Sequence, residues 1–326
     1  MSKYEKTTAI EEIWSMIESF KGYSFCKAHS ASYTQVSFES AYLRRHYPAE
    51  FMAAVLSNGG GFYSTSAYIS ECLRMKLKFY PIDINESEYK YEGFDDIIKI
   101  GFQAIKGLNR DGIKNVVEER NLKGEFKSLY DYLSRTRLSF SDNKLLNCLN
   151  AFKEICQYNT TQTYWLISQF YLNRRDPYQQ VLFLQEEPEP PNFQEKIDLE
   201  QWMDHYELCG YLLNDHPFVL WEERIKAMNI SYVPACEIKR YVGKVITVLG
   251  FPITQKTART KNDEYMSFYS FEDQNTLYDV TLFPREYEKY RDEIVSKTPC
   301  LINGLVESEF DVETITLKWL KKVSVC

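Results

Sequence analysis

The feature that most constrains the fold is a change of hydrophobic period near residue 242. Before it, apolar residues recur at helical spacing; after it, up to Val323, the chain breaks into short alternating or apolar runs. Five runs predict strands: Lys244 to Phe251, Met266 to Phe271, Asp279 to Phe283, Cys300 to Glu307 and Thr314 to Leu320. Between the third and the fourth, Pro284 to Val295 predicts a helix. Five strands with a helix after the third are the layout of an OB-fold barrel.

The sequence before this change is mostly helical in pattern. Helices are predicted at Ile10 to Phe20, Ser37 to Tyr47, Ala49 to Ser57, Thr65 to Met75 and Leu199 to Leu213. The fold class that follows is a multidomain α+β protein, with a mostly helical N-terminal two thirds followed by a five-stranded OB-fold β-barrel.

Composition and charge limit the function classes. The 326 residues are 44% hydrophobic and 26% charged, as in soluble globular proteins. No apolar run reaches the length of a membrane span and the N-terminus has no apolar signal region, so we expect a cytoplasmic protein without a membrane partner. The eight cysteines form no C-x-x-C pair, which argues against a zinc site or a disulfide framework.

The net charge of -7 argues mildly against a protein that binds nucleic acid by charge alone. Acidic residues concentrate between Glu186 and Glu200. The remaining chain is therefore locally basic, notably from Lys99 to Lys127 and from Lys239 to Lys261.

The stretch from Phe20 to Leu56 is the most specific part of the helical half. Short polar and basic residues crowd there between two aromatic-rich helical patterns: Gly22, Lys27, His29, Ser30 and Ser32. They predict a turn at which a phosphate or a sugar could be bound. The alternative is an ordinary helix-turn-helix connection whose histidine is a satisfied structural partner.

The run GYSFCKAHSASYTQVSFESAYLRRHYPAEFMAAVLSNGGGFY, followed by YISECLRMKLKFYPIDINESEY, resembles the end of the fingers domain of the C-family bacterial DNA polymerases, the alpha subunit of DNA polymerase III. The forms SFCKAHSASY and SNGGGFY are closer to the error-prone type. The resemblance implies that Lys27, His29, Ser30 and Tyr33 border the triphosphate and sugar of the incoming nucleotide. A point charge such as that of Lys27 suits a phosphate.

The segment IGFQAIKGLNRDGIKNVVEER, from Ile100 to Arg120, has the layout of a helix-hairpin-helix, which grips backbone phosphate without reading bases. The amides that begin its second helix are expected to be free to bind an anion. Asn109 stands where the motif has its second glycine, and asparagine tolerates a left-handed conformation. The residues expected to hold DNA are Lys106, Gly107, Asn109, Arg110 and Lys114. The alternative is a plain helical hairpin.

The family's second hairpin falls between Phe126 and Phe152. It normally closes on a glycine-alanine turn, and the glycine is missing from Leu149-Asn150-Ala151-Phe152. This loss speaks against a second phosphate clamp.

The pentapeptide from Gln179 to Phe183 fits the pattern Q-x-x-L-F, similar to the peptide by which bacterial polymerases dock on the sliding clamp. Leu182 and Phe183 would be adjacent apolar anchors, with polar contacts from Gln179. A Pro/Glu-rich linker, Glu186 to Asn192, follows directly. Five-residue patterns also arise by chance, and that alternative stays open.

An OB-fold can bind a single strand by stacking bases on exposed aromatic rings beside a basic groove. The candidates are Phe268, Tyr269, Lys256, Arg259 and Lys261. Because alternation puts Phe268 and Tyr269 on opposite faces, about half of such aromatic residues must belong to the core. OB-folds also bind proteins or sugars, so the fold alone leaves the ligand open.

Nucleotidyl transfer needs two divalent metals held by clustered aspartates, and the sequence shows no such cluster. The nearest candidates, Asp83, Asp95 and Asp96, fall in a different family motif and in a loop. We therefore expect no catalytic residue, no metal ligand and no cofactor in this sequence, with Mg²⁺ only if a partner carries a palm domain. The palm and phosphoesterase domains of the family are expected to be absent from it.

The predicted organisation is fingers end at 1–95, helix-hairpin-helix at 96–157, clamp peptide and linker at 158–198, helical connector at 199–241 and OB-fold at 242–326. One hypothesis is a DNA-binding and clamp-docking module of replication or repair, including translesion synthesis, that is inactive alone. Another is the fingers-bearing half of a split polymerase, and a third is a repair scaffold. The expected partners are single-stranded or primed DNA, the sliding clamp and a palm-bearing chain or other repair proteins, in a nucleoid-associated cytoplasmic location.

Overall fold

The computed structural model describes residues 14–15, 27–59, 61–173, 188–213, 215–294, 298–309 and 311–323. The chain forms two compact units, Met1–Pro48 and Ala49–Cys326. Among the residues described, no helix is long and apolar enough to cross a membrane.

In the first unit, Lys27–His46 forms an uninterrupted helix, α1. The predicted turn before Ser37 is therefore wrong. The sequence has neither glycine nor proline between Lys27 and His46, and the hydroxyls of Ser32 and Thr34 donate to backbone carbonyls one turn earlier, both at 2.9 Å. The small polar residues are thus accommodated inside a helix. Apart from residues 14–15, the helix predicted from Ile10 to Phe20 lies outside the described residues.

The second unit begins with a helical part that also carries a small sheet. Its elements are α2 (Pro48–Ser57), α3 (Thr65–Arg74), β1 (Lys78–Tyr80), β2 (Glu92–Phe94), β3 (Ile97–Lys99), α4 (Arg110–Lys123), α5 (Leu129–Arg135), α6 (Phe140–Cys148), α7 (Thr160–Asn173) and α8 (Asp198–Cys209). Strand β3 pairs in parallel with β1 and antiparallel with β2. Strands of three residues are too short to show a period of two, which is why the sequence did not reveal them.

Several of the 25 tyrosines are buried in the core. Tyr132 is fully buried and donates from its hydroxyl to Asn143 at 2.8 Å. Tyr91 and Tyr211 share a hydroxyl–hydroxyl bond of 2.9 Å, and burial raises the pKa of Tyr91 to about 12. Each phenol therefore packs as a neutral ring whose polar end has a partner.

A connector joins the helical part to the barrel. It consists of 3₁₀ turns at Pro217–Trp221 and Ala235–Tyr241 with α9 (Glu222–Ala227) between them. Phe218 and Trp221 pack in one apolar cluster with Phe251 and Leu301 of the barrel.

The barrel comprises β4 (Val245–Arg259), β5 (Tyr265–Glu272), β6 (Leu277–Leu282), α10 (Pro284–Ile294), β7 (Cys300–Glu309) and β8 (Val312–Lys322). It is closed in the order β4-β5-β6-β8-β7, with β6 and β8 parallel and the other neighbours antiparallel. The helix lies between the third and fourth strands. The predicted α+β fold class with a C-terminal OB-fold is confirmed.

Strand β4 closes the barrel because it pairs with two different strands along its length. Its first part pairs with β7 and its second part with β5, and the register shifts between Pro252 and Thr254. Proline, which has no amide hydrogen, is tolerated at such a bulge. The facing pair β7–β8 is so close at Gly304 that a Cβ there would lie 2.3 Å from the Thr316 carbonyl oxygen.

A buried carboxylate fixes the barrel to the helical part. The Glu272 side chain at the end of β5 is 4% exposed and accepts hydrogen bonds from Ser70 at 2.9 Å and from Arg74 at 3.0 Å, both on α3. Nε2 of His216 lies 3.7 Å from the same carboxylate. The outer face of β5 therefore has a defined position relative to α3.

Candidate nucleic-acid interface

Of the two glycine positions of the first hairpin motif, one has the left-handed conformation and the other is an asparagine that caps a helix. Gly107 is left-handed, with φ 81°, and exposed. Asn109 is extended, with φ -67°, at the N-cap of α4. The expected left-handed role of Asn109 is therefore corrected: its side chain is used to cap the helix.

The amides of this hairpin are largely occupied by the protein itself. Oδ1 of Asn109 accepts from the amides of Asp111 at 3.1 Å and Gly112 at 3.0 Å. The amide of Asn109 in turn donates to the buried carboxylate of Asp142 at 3.0 Å. The expectation that the amides at the start of α4 are free for an anion is thus wrong for Asp111 and Gly112, because the side-chain oxygen of Asn109 already holds them.

Basic side chains remain available around the same hairpin. Lys106 is exposed, with its Nζ 3.5 Å from the Glu207 carbonyl oxygen. The guanidinium of Arg110 lies over the Tyr89 ring at 5.2 Å, and exposed Lys114 follows one helical turn later on the same face. Phosphate contacts at this hairpin would therefore be made by side-chain charges.

The second hairpin keeps its turn without the glycine. Asn150 adopts the left-handed conformation, with φ 58°, and the Ala151 amide donates to the Leu146 carbonyl at 3.1 Å. Asparagine is among the residues that reach this conformation at low cost. The amides of Asn150 and Ala151 are both used inside the turn, which leaves neither for a phosphate.

A row of three side chains on the outer face of the barrel places a cation beside an exposed aromatic ring. Lys256 on β4 is paired in register with Phe268 on β5, and Phe268 is paired with Thr281 on β6. Phe268 is 43% exposed, and Lys256 beside it is exposed. A ring next to a flexible cation is the combination that binds one nucleotide of a single strand by base stacking and phosphate contact.

Tyr269, one residue further, points the other way. It is 4% exposed within the barrel core, beside Phe271 at a ring distance of 6.1 Å. Tyr269 is therefore corrected from a stacking candidate to a core residue, because alternation along β5 gives the outer face to Phe268.

The hairpin between β4 and β5 carries balanced charge, with Asp263 and Glu264 beside Arg259 and Lys261, whereas that between β7 and β8 is acidic. Arg259 bonds Asp263 at 2.6 Å and stacks on Tyr265 at 4.8 Å, while Lys261 is exposed in the turn. Exposed carboxylates lie along the other hairpin: Glu307, Glu309 and Asp311. This contrast depends on which strands pair, so the sequence pattern did not reveal it. It favours a polyanion on the β4–β5–β6 face over the β7–β8 side.

The residues predicted to border a nucleotide lie on α1. His29 and Tyr33 are one turn apart, with their ring centroids 4.4 Å apart in an edge-to-face contact, and Ser30 is exposed beside them. Lys27 begins the helix, and its side chain lies outside the described residues. The helix therefore presents His29, Ser30 and Tyr33 together on an exposed surface.

Comparisons with known proteins agree with this architecture. A helix-hairpin-helix motif family matches residues 76–162. The DNA polymerase III subunit alpha of Escherichia coli strain K12 is 29% identical over 323 residues, covering 90% of this chain and 27% of that protein. The corresponding subunit of Aquifex aeolicus is 27% identical over 94% of this chain and 26% of its own length. This chain is a homologue of bacterial DNA polymerase III alpha subunits.

An error-prone DNA polymerase of Bdellovibrio bacteriovorus is also similar, at 26% identity over 91% of this chain and 30% of that protein. The chain thus spans roughly a quarter to a third of the length of these curated relatives, in a match that fits their C-terminal part. Among solved structures, the hypothetical protein ygiW of E. coli is 18% identical over 29% of this chain and 91% of its own, with a TM-score of only 0.21.

In this alpha-subunit homologue, the predicted clamp-binding residues Gln179, Leu182 and Phe183 lie outside the described residues. The Q-x-x-L-F pattern therefore remains a prediction from the sequence.

The aspartates nearest to a catalytic pattern have structural partners. The carboxylate of Asp83 accepts from the amides of Asn85 at 2.7 Å and Glu86 at 3.0 Å, and burial raises its pKa. Asp96 pairs with Lys78 at 3.0 Å. Within the described ranges, no group of three or more His, Cys, Asp or Glu side chains could hold a metal ion.

Proposed function

We propose that this alpha-subunit homologue binds single-stranded or primed DNA during replication or repair, in the nucleoid-associated cytoplasm, and docks on the sliding clamp. The row formed by Lys256, Phe268 and Thr281 on the outer face of the barrel carries the proposal. It combines an exposed ring with an adjacent cation on a fold that often binds single strands. Synthesis across lesions is one setting in which such a module would act.

The helix-hairpin-helix supplies a second, sequence-independent contact in this proposal. Because its amides are occupied, Lys106, Arg110 and Lys114 contribute charge and little geometric selectivity. The binding they provide should therefore respond strongly to salt and weakly to base sequence.

We expect the affinity for single-stranded DNA to fall steeply with salt, and the triple change Lys106→Gln, Arg110→Gln and Lys114→Gln to flatten that dependence. Each phosphate contact on a single strand contributes roughly 0.7 to the slope of log K against log salt, so three lost contacts should reduce the slope by about two. Fluorescence anisotropy with a labelled oligonucleotide at several salt concentrations measures both quantities.

The matched control carries Lys289→Gln, Lys318→Gln and Lys321→Gln, three exposed lysines on α10 and β8. The control changes the net charge equally and should leave most of the slope in place. An affinity of the unchanged chain that stays constant from low to high salt would contradict backbone binding altogether.

Clamp docking is proposed from the Q-x-x-L-F pattern. The double change Leu182→Ala and Phe183→Ala should abolish co-elution with a sliding clamp in size-exclusion chromatography, because two adjacent apolar anchors carry most of the affinity of such peptides. The neighbouring pair Gln180→Ala and Val181→Ala occupies the variable positions and should co-elute as before. A complex that survives loss of both anchors would show that the pattern is accidental.

A second candidate role is the fingers-bearing half of a split polymerase. The exposed group of His29, Ser30 and Tyr33 on α1 favours it, since a pure DNA-binding module has no need of a nucleotide contact. Primer extension by a mixture with a palm-bearing chain, and by neither chain alone, would support this role. Equal extension by the partner with and without this chain would count against it.

A further inference from the structure

A pair of aromatic rings beside the barrel has no role in the site described so far. Phe62 and Tyr63 precede α3 and are 76% and 46% exposed. Their ring centroids lie 5.2 Å apart, edge to face, and Tyr63 contacts Tyr68 of α3 at 6.0 Å in the same manner. The rings thus project from a loop supported by a helix.

The serines that follow this aromatic loop lie across a cleft from β4. A cavity of about 300 Å³ separates them, lined by Ser64 and Ser66 on one side and by Thr254 and Gln255 on the other. The cavity offers hydroxyl and amide groups on walls that include Phe251 and Pro252. Such a cleft suits a nucleobase or sugar, which presents both apolar faces and hydrogen-bonding edges.

The cleft is continuous with the row on the barrel. Thr254 lies two residues before Lys256 on β4, about 7 Å along the strand and on the same side. Thr254 is paired in register with Ser270, as Lys256 is with Phe268. A chain leaving Phe268 along β4 would therefore reach the cleft within about one or two nucleotides.

The loop and the barrel face also have a fixed separation. Glu272 shares the outer face of β5 with Phe268 and Ser270, and its carboxylate bonds Ser70 and Arg74 of α3. Because α3 follows the aromatic loop directly, this contact fixes the distance between the loop and Phe268 without a bound ligand. Such preorganisation lowers the entropic cost of binding an extended strand.

We infer that Phe62 and Tyr63 form a second stacking platform for the same single strand of DNA that the barrel binds at Phe268. The inference rests on the proposed function. Bases at one end of the strand stack on Phe268 beside Lys256, and bases further along stack on Phe62 and Tyr63. The described residues that line the cleft include no lysine or arginine, and the carboxylate of Glu272 among them is paired with Arg74. The second platform therefore adds affinity with little dependence on salt.

The test uses the full chain and labelled oligodeoxythymidines of about 3 and about 20 nucleotides, lengths below and above the range bound by one OB-fold. The double variant Phe62→Ala with Tyr63→Ala should bind the longer oligonucleotide about tenfold more weakly or worse, with an unchanged salt slope. It should bind the shorter one as the unchanged chain does, because a strand of that length held at Phe268 ends in the cleft, before the aromatic loop. Phe38→Ala, which removes a 73% exposed ring from α1, is the matched control.

Retention of full affinity for the longer oligonucleotide by the double variant would overturn the inference. If Phe268→Ala still weakened both lengths, the proposed function would stand without it. If Phe268→Ala also had no effect, the proposed function itself would fail. Unchanged DNA binding with loss of clamp co-elution would assign the loop to a protein partner and reject the stacking role.

Discussion

Replacing Phe268 by alanine is expected to weaken the binding of single-stranded DNA by about tenfold to a hundredfold, because stacking of one base on an aromatic ring contributes roughly 1–3 kcal/mol. The ring is 43% exposed and stands on the outer face of β5, so its loss removes a contact surface and leaves the core intact. Adding Lys256→Gln should also lower the slope of log K against log salt by a fraction of one unit, since one phosphate contact is lost.

Trp319→Ala is the control for this prediction. Trp319 is an aromatic residue on β8 with 36% exposure, on the side of the barrel that carries the acidic hairpin. Its removal should change DNA affinity by less than a factor of about three. Equal losses for Trp319→Ala and Phe268→Ala, with unchanged melting temperatures, would show that the β4–β5–β6 face has no special role.

Replacing Glu272 by glutamine is expected to lower the free energy of unfolding by about 2–4 kcal/mol. The Arg74 guanidinium, 19% exposed, would lose its charged partner on β5 while staying largely shielded from water, and breaking such a pair is costly. Urea unfolding followed by circular dichroism should show a lower midpoint with a similar slope. The contact that fixes the aromatic loop relative to the barrel face would also be weakened.

Glu71→Gln provides the comparison, because it removes the other carboxylate that pairs with Arg74. Glu71 is on the same helix and 29% exposed, so its replacement should cost no more than about 1 kcal/mol. Equal destabilisation by the two changes would mean that burial of Glu272 adds nothing, and that another contact positions the barrel.

Local sequence patterns predicted the barrel well because its strands alternate and a helix interrupts them at a diagnostic place. Alternation from Met266 to Phe271 placed Phe268 and Tyr269 on opposite faces, but the choice of Tyr269 as a DNA-binding residue was wrong, because the folded barrel exposes Phe268 and buries Tyr269. The same method failed at α1, where crowded serines suggested a turn. Hydroxyls that bond the preceding turn of a helix make such residues compatible with a long helix.

The roles of the asparagines that replace glycines in the two hairpins were also hard to predict, since asparagine can either adopt a left-handed conformation or cap a helix. Asn109 and Asn150 divide these two roles, with the cap at the first hairpin and the left-handed turn at the second. The contact of Glu272 with Ser70 joins positions 202 residues apart, and local patterns do not report such pairings. The aromatic loop at Phe62 becomes a candidate DNA contact only because the fold brings it near the barrel face, which the local sequence does not show.

Photo-crosslinking of the full chain to a single-stranded oligonucleotide containing 5-bromodeoxyuridine, followed by peptide mapping, tests the central claim most directly. Binding at the barrel face predicts crosslinks within Tyr265–Glu272, centred on Phe268, that disappear in the Phe268→Ala variant. Crosslinks confined to the β7–β8 hairpin, or none under conditions where the oligonucleotide is bound, would contradict it.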